Sequence, residues 1–278
     1  MGNTLFIYDD HLVSRRAAVM MSSIISMSRY VPYGKPAALQ KYRQIIYVIQ
    51  ADPQHHTALT LPEEGKEKAV GIVLIDVAEE QAPSVLAHIA EQWHISFTFS
   101  AVIRSSHYAE DAIEAAEQML RRDTEHNQDP DVRKAIENFL NTHNTCVLAT
   151  ASASGDGSIS VRSTPIEYLY ADGKIYIFSE GGRKFINIYR NPNVSLSVFD
   201  PYSGFSKLAG LQLMGTCRVI EPDEEAYEPI AALKGITKER IQAMPVVLHV
   251  LEITLHEAVF LWAGFQASGK AVRQTYQF

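Results

Sequence analysis

Apolar residues change their spacing near the middle of this chain, and the change predicts two domains of different class. In the first half, short apolar runs alternate with segments of helical periodicity: Thr4 to Tyr8, Leu12 to Met27, Gln44 to Ile49, Val70 to Val77, Gln81 to Trp93, Ile95 to Ile103 and Tyr108 to Leu120. The run Gly71-Ile72-Val73-Leu74-Ile75 is apolar at every position, so both faces of such a strand need a cover. That predicts a parallel sheet sandwiched between helices, a small doubly wound α/β domain. The stretch Asp123 to Asp131 is polar throughout apart from Pro130, as an exposed linker would be. The expected domains are therefore 1–122 and 131–278, with a linker at 123–130.

Past the linker the period falls to two. Asp131 is expected to cap a helix whose Val132, Ile136 and Leu140 share one face. Strands are predicted at Thr145 to Ala151, Ser158 to Tyr170, Lys174 to Ser179, Asn193 to Phe199, Leu211 to Ile220, Val247 to Leu255 and Glu257 to Trp262. Hairpin-type turns at Ser154-Gly155-Asp156-Gly157 and Asp172-Gly173 join several of them. One helix followed by many short alternating strands predicts a mainly antiparallel barrel.

Composition narrows the function. With 278 residues, 46% of them hydrophobic and 21% charged, the chain is globular and neither disordered nor fibrous. The formal charge is -7, and both halves are acidic: residues 1–128 carry 11 Lys+Arg against 16 Asp+Glu, and residues 129–278 carry 14 against 16. There is no basic pole for phosphate backbones or anionic lipid, so neither a nucleic acid nor a membrane is an expected partner. The N-terminus lacks a basic stretch followed by an apolar one, and no apolar run approaches about 18 residues, which predicts a soluble cytoplasmic protein. Cys146 and Cys217 lie in apolar, strand-like contexts and are expected to be buried reduced thiols.

The most informative stretch is Ser158-Ile159-Ser160-Val161-Arg162-Ser163-Thr164-Pro165, where a charged Arg interrupts a β-branched strand. Such an Arg either faces solvent or is recruited by an anion. Shortly afterwards, Ser179-Glu180-Gly181-Gly182-Arg183-Lys184 opens a predicted helix with glycines, a hydroxyl and cations. Arg162 as a bidentate fork and Lys184 as a point charge could together neutralise a phosphate monoester; as solvated surface charges they would do nothing. The histidines carry no metal motif. His249 and His256 are seven residues apart and fall on opposite faces of a continuous strand, and the adjacent His55 and His56 are poorly disposed to share one ion, so no metal site is expected.

Residues 131–278 resemble the FMN-binding split β-barrel of the pyridoxamine 5′-phosphate oxidase superfamily. The resemblance lies in the order Val147-Leu148-Ala149-Thr150, Gly157, Val161 to Pro165, Asp172 to Tyr176, Lys184, Asn187 and Asn191-Pro192-Asn193-Val194. It implies that Arg162 and Lys184 grip the phosphate of FMN, that Ser179 assists, and that main chain around Ser163 and Glu180 lies along the flavin. It further implies a homodimer with FMN at the subunit interface. Gln212 stands where relatives present a polar side chain to the ring edge, and Trp262 and Arg273 resemble late residues that close the pocket from the partner subunit. For Trp262, core packing is an equal alternative. The implied activity is FMN-dependent hydride or electron transfer on an unidentified substrate. The chain end, Gly269 to Phe278, lacks the basic, histidine-containing motif that the oxidases proper use for substrate phosphate. A non-catalytic flavin-binding or sensing protein, or a haem- or deazaflavin-binding barrel, remains open.

The first half resembles a flavodoxin-like domain whose chemistry has been lost. Its first loop, Asp9-Asp10-His11-Leu12-Val13-Ser14-Arg15, places two carboxylates where a phosphate cradle would need small residues, and Gln50 to His56 offers no aromatic for stacking. No flavin is expected there.

Overall fold

The computed structural model describes residues 4–35, 37–50, 61, 65, 67–124 and 128–278. The chain divides into two compact units, Met1–Glu125 and His126–Phe278. The loop carrying His55 and His56 lies outside the described residues, as do residues 125–127 of the expected linker.

Unit 1 holds β1 (Thr4–Tyr8), α1 (Leu12–Ile24), β2 (Ser28–Pro32), β3 (Gln44–Gln50), β4 (Ala69–Ile75), α2 (Ala82–Trp93), β5 (Phe99–Ile103) and α3 (Tyr108–Thr124). The strands form one parallel sheet in the order β2-β1-β3-β4-β5, the order of flavodoxin-type folds. The unbroken apolar runs arise because both faces are covered. On β3, Ile45 and Tyr47 turn toward Ile89 and Trp93 of α2, while Ile46 and Val48 turn toward Ala17 and Met21 of α1 and Ala112 and Ala116 of α3.

At the C-terminal ends of these strands several carboxylates bond internally. The Asp9 carboxylate accepts backbone N–H bonds from His11 at 3.0 Å and Gln50 at 2.6 Å, bridging the crest between β1 and β3. That crest is where doubly wound sheets bind ligands, and here a carboxylate takes the donors that a phosphate would need. Nearby, Arg104 donates to Asp111 from its backbone N–H at 2.9 Å, Nε at 2.9 Å and an NH2 group at 2.6 Å. These bonds tie the end of β5 to the first turn of α3 and hold the Asp111 carboxyl down at about 2, chiefly through the guanidinium hydrogen bonds. A folded-state pKa below the unfolded value means stability present above pH 4 and lost as pH falls toward 2. Asp111→Asn should therefore destabilise unit 1 at pH 6 by roughly 1 kcal/mol, the bridge being discounted because Arg104 is well exposed. The difference from wild type should shrink by pH 2.5, as read from urea midpoints at the two pH values.

Unit 2 begins with α4 (Pro130–Thr142) and continues through β6 (Thr145–Ala153), β7 (Ile159–Glu167), β8 (Leu169–Ala171), β9 (Lys174–Ser179), α5 (Lys184–Arg190), β10 (Asn193–Phe199) and β11 (Ala209–Ile220). It ends with α6 (Tyr227–Leu233), α7 (Lys238–Gln242), β12 (His249–Trp262) and β13 (Arg273–Gln277). Asp131 does not cap α4. The cap is Asp129, whose Oδ1 accepts from the N–H groups of Asp131 at 2.9 Å and Val132 at 3.4 Å. Pro130 sets this register, because a residue without N–H and with fixed φ suits the first helical position and pushes the cap one residue upstream. Val132, Ile136 and Leu140 are buried against the barrel, as expected.

The antiparallel sheet runs β7-β6-β10-β11-β12-β9-β8, with β13 also pairing on β12. The two strands predicted across 247–262 are one strand with a bulge. Gly215 of β11 pairs with Leu255 and Met214 with Glu257, so His256 is the extra residue. A Cβ on Gly215 would lie 2.4 Å from the Thr254 carbonyl oxygen, which is why glycine stands opposite the bulge. The bulge also reverses the alternation: Leu251, Ile253 and Leu255 face the core before it, and Ala258 and Phe260 after it. Cys146 and Cys217 are buried and unbridged, burial pushing each thiol up to about 12.

Candidate functional site

Arg162 sits on β7, an outer strand of the sheet, opposite Thr150 of β6. Alternation puts it on the half-buried face with Ser160 and Thr164, while Val161, Ser163 and Pro165 lie on the exposed face. The Arg162 side chain makes no hydrogen bond or ion pair with a described residue.

A single buried amide brings α5 to this strand. Asn187, 1% exposed, accepts from Ser152 Oγ at 2.9 Å. Its Nδ2 donates to the carbonyl and hydroxyl oxygens of Thr150, each at 3.2 Å, and to the Ser160 carbonyl at 3.3 Å. Asn191 adds a bond to the Ala151 carbonyl at 2.9 Å. Thus α5 packs on β6 and β7, and β7 also approaches β9.

At the start of α5 the chain turns through Gly181 and Gly182, whose φ values of 118° and 102° favour glycine. The buried Ser179 closes this turn, its Oγ accepting from the Gly181 N–H at 3.2 Å. Lys184 Nζ donates to the Gly181 carbonyl at 2.5 Å, and burial lowers the lysine pKa while the neighbouring Glu180 carboxylate raises it. The helix has only seven residues, so side chains rather than a helix dipole supply the positive character. The elements that carry Arg162, Ser179, Glu180 and Lys184 therefore meet in unit 2, α5 packing on β7 and β7 approaching β9.

The remaining predicted residues lie elsewhere. Gln212 of β11 is exposed; the pairings Gln212–Ser197, Ser197–Val147 and Val147–Pro165 put it on the outer face, with Ser163, opposite to Arg162. Trp262 ends β12, the strand that begins at His249 opposite Ser179. Its ring packs on Phe260 with centroids 5.6 Å apart and on Phe265 at 5.0 Å, and it leaves no room for a Cβ on Gly264. Core packing thus accounts for much of the Trp262 ring. Arg273 is half-buried on β13 across from Leu261, at the same end of β12 as Trp262.

The outer face carries an open groove of about 310 Å³ lined by Ala149, Ala151, Val161, Ser195, Met214 and His256. Val161 and Ile159 are 71% and 74% exposed at its edge. The bulged His256 is held there by Thr216, whose Oγ1 is 2.6 Å from Nε2. His249 lies on the other side of the strand, beside Phe185 and Glu221, so the two histidines do face opposite ways. No group of three or more potential metal ligands occurs among the described residues, and none of their helices is long and apolar enough to cross a membrane.

Comparison with known proteins bears on unit 2. Solved structures similar to it include a conserved hypothetical protein from Mycobacterium tuberculosis, 24% identical, TM-score 0.37, covering 46% of this chain and 82% of the other. The haem storage protein HutZ of Vibrio cholerae is 17% identical, with TM-score 0.35 and coverage of 47% and 92%. An FAD-binding protein from Mesorhizobium loti is 21% identical, with TM-score 0.33 and coverage of 45% and 89%. All three TM-scores fall below 0.5, so the assignment rests on sequence instead. No curated protein matches the chain. Residues 132–272, just over half of the chain and nearly all of the barrel, match the family described as pyridoxamine 5′-phosphate oxidase, and the chain belongs to that family.

Proposed function

We propose that unit 2 binds FMN by its phosphate at the corner formed by Arg162, Ser179 and Lys184, and that the chain works as a homodimeric FMN-dependent oxidoreductase. The observation that carries this reading is a pair of half-buried cations with unfilled capacity in an acidic chain. Arg162 has no polar partner among the described residues, and Lys184 is desolvated with a backbone carbonyl as its hydrogen-bond acceptor. Burying a cation is costly where its charge is not fully offset; Glu180 offsets that of Lys184 only in part, and a phosphate dianion would serve both sites. Bound flavin would supply the hydride or electron transfer; the protein would bind the phosphate, orient the ring along β7 near Ser163 and Glu180, and tune its electronics.

The separation of the predicted residues supports a dimer. Gln212 lies on the opposite face from Arg162, and Trp262 and Arg273 lie at the far end of β12 from Ser179. A second chain would bring these three to the flavin held at the phosphate corner. The exposed apolar edge at Ile159 and Val161 is a natural seat for that second chain.

The test is an absorbance spectrum of the purified protein followed by anaerobic mixing with NADH and with NADPH. The expected result is an oxidised-flavin band that bleaches faster than that of free FMN with at least one donor. Retained flavin without faster bleaching would make the chain a flavin carrier or sensor, and a haem spectrum in place of flavin would overturn the cofactor.

A further inference from the structure

Beside the turn that joins Ser179 to Phe185 stands a histidine that neither the motif order nor the family resemblance assigns. His249, the first residue of β12, is paired directly with Ser179, the last residue of β9. Directly paired residues project from the same face with Cβ atoms about 5 Å apart, so the imidazole rises beside the buried serine that closes the Gly181 turn. The ring meets the Phe185 ring edge-on with centroids 5.1 Å apart, and Phe185 is the residue after Lys184. Its Nδ1 lies 2.6 Å from Oε2 of Glu221, which follows β11, and both side chains are only partly exposed. With a carboxylate as partner, Nδ1 carries the proton and donates. Nε2 makes no hydrogen bond to a described residue.

We propose that His249 is a further phosphate-binding residue, held by Glu221 at Nδ1 so that Nε2 is hydrogen-bonded, through one shared proton, to the same monoester that Arg162 and Lys184 would neutralise; the inference rests on reading that corner as a phosphate site. A carboxylate on one ring nitrogen fixes the plane and tautomer, and thereby directs the other nitrogen. Phe185 packs edge-on against the ring and limits its rotation. The chemistry selects a phosphorylated flavin over its dephosphorylated form and gives no grip on the isoalloxazine itself.

The experiment compares FMN with riboflavin, which differ only in the phosphate, by fluorescence titration of the full-length chain and its variants. His249→Phe keeps the aromatic contact with Phe185 while removing both ring nitrogens, and should weaken FMN about tenfold with riboflavin affinity unchanged. His249→Gln retains an amide donor and should recover part of the loss. Glu221→Gln should weaken FMN less than His249→Phe does. Lys184→Ala serves as the reference for the corner. If Lys184→Ala collapses the preference for FMN while His249→Phe leaves it intact, the histidine has no phosphate contact and the corner stands without it. Equal losses for FMN and riboflavin in His249→Phe would reduce the residue to a packing role and overturn the inference. If Lys184→Ala also leaves the preference intact, the corner itself is misplaced and the inference falls with it.

Discussion

Asn187→Ala is expected to lower the stability of unit 2 by about 3 kcal/mol, read from urea unfolding at neutral pH. The amide is 1% exposed and joins α5 to β6 and β7 through Ser152, Thr150 and Ser160. Removing it takes a partner from two hydroxyls, of Ser152 and Thr150, and two carbonyls, of Thr150 and Ser160, where water has little access, and a buried group left without a partner costs about 1 kcal/mol or more. Asn187→Asp tests the direction of the bonds. It keeps an acceptor for Ser152 but loses the Nδ2 donors and buries a charge, so it should be no less damaging. Because α5 carries Lys184, FMN binding should weaken in both variants even at temperatures where they stay folded. A loss below about 1 kcal/mol would mean that α5 is held by its apolar residues, Phe185 and Ile188, rather than by the amide.

Arg162→Ala and Lys184→Ala should each weaken FMN by about ten- to a hundredfold, the equivalent of 1.5 to 3 kcal/mol for one charged contact. On the proposed site the two side chains would hold one phosphate from different elements, β7 and α5, so their effects should combine. The double variant is then expected to lose a thousandfold or more, unless the phosphate shifts toward a remaining donor. Arg162→Lys should recover only part of the loss, since an ammonium supplies charge without the planar fork. Stability should change little in Arg162→Ala, because that guanidinium has no polar partner among the described residues to lose. Wild-type affinity in either alanine variant would contradict the placement of the phosphate.

Much of the fold is legible in the sequence, because burial on two faces and burial on one face leave different periods. The continuous run Gly71 to Ile75 encodes a strand between helix layers, and the alternation along Ile175 and Ile177 encodes a barrel wall. What escapes the pattern has physical reasons. β2 buries only Val31 and ends in Pro32, so as an edge strand it carries almost no apolar signal. α6 is recognisable only once Tyr227, Ile230 and Ala231 find Tyr176, Ile220 and Val250 on the outer side of the barrel. The break in alternation at His256 is visible in the sequence, but whether it separates two strands or bulges one depends on Gly215, forty-one residues upstream. That bulge puts Trp262 in phase with Phe260, against which it stacks, a placement that counting by twos from Leu255 would miss.

The candidate site is legible in the same partial way. Arg162, Ser179 and Lys184 stand out because charge and hydroxyl interrupt apolar or glycine-rich stretches in a recurring order, and the structure brings their elements together. Asn187 appears in that order only as a helix residue; its work as a tether depends on three partners supplied by β6 and β7. The meeting of His249 with Glu221 depends on closure of β11 and β12 across twenty-eight residues and leaves no local mark.

The central claim, one phosphate-gripping corner per chain and none in unit 1, is tested most directly by counting bound flavin. FMN titrated to saturation into the full-length protein, with unbound ligand removed and protein determined independently, should give a ratio near one per chain. The Asp9 carboxylate already holds the backbone donors at the crest of the unit 1 sheet, which is why a second site is not expected. A ratio near two would show that unit 1 binds flavin after all, and a ratio near zero would remove FMN from the account.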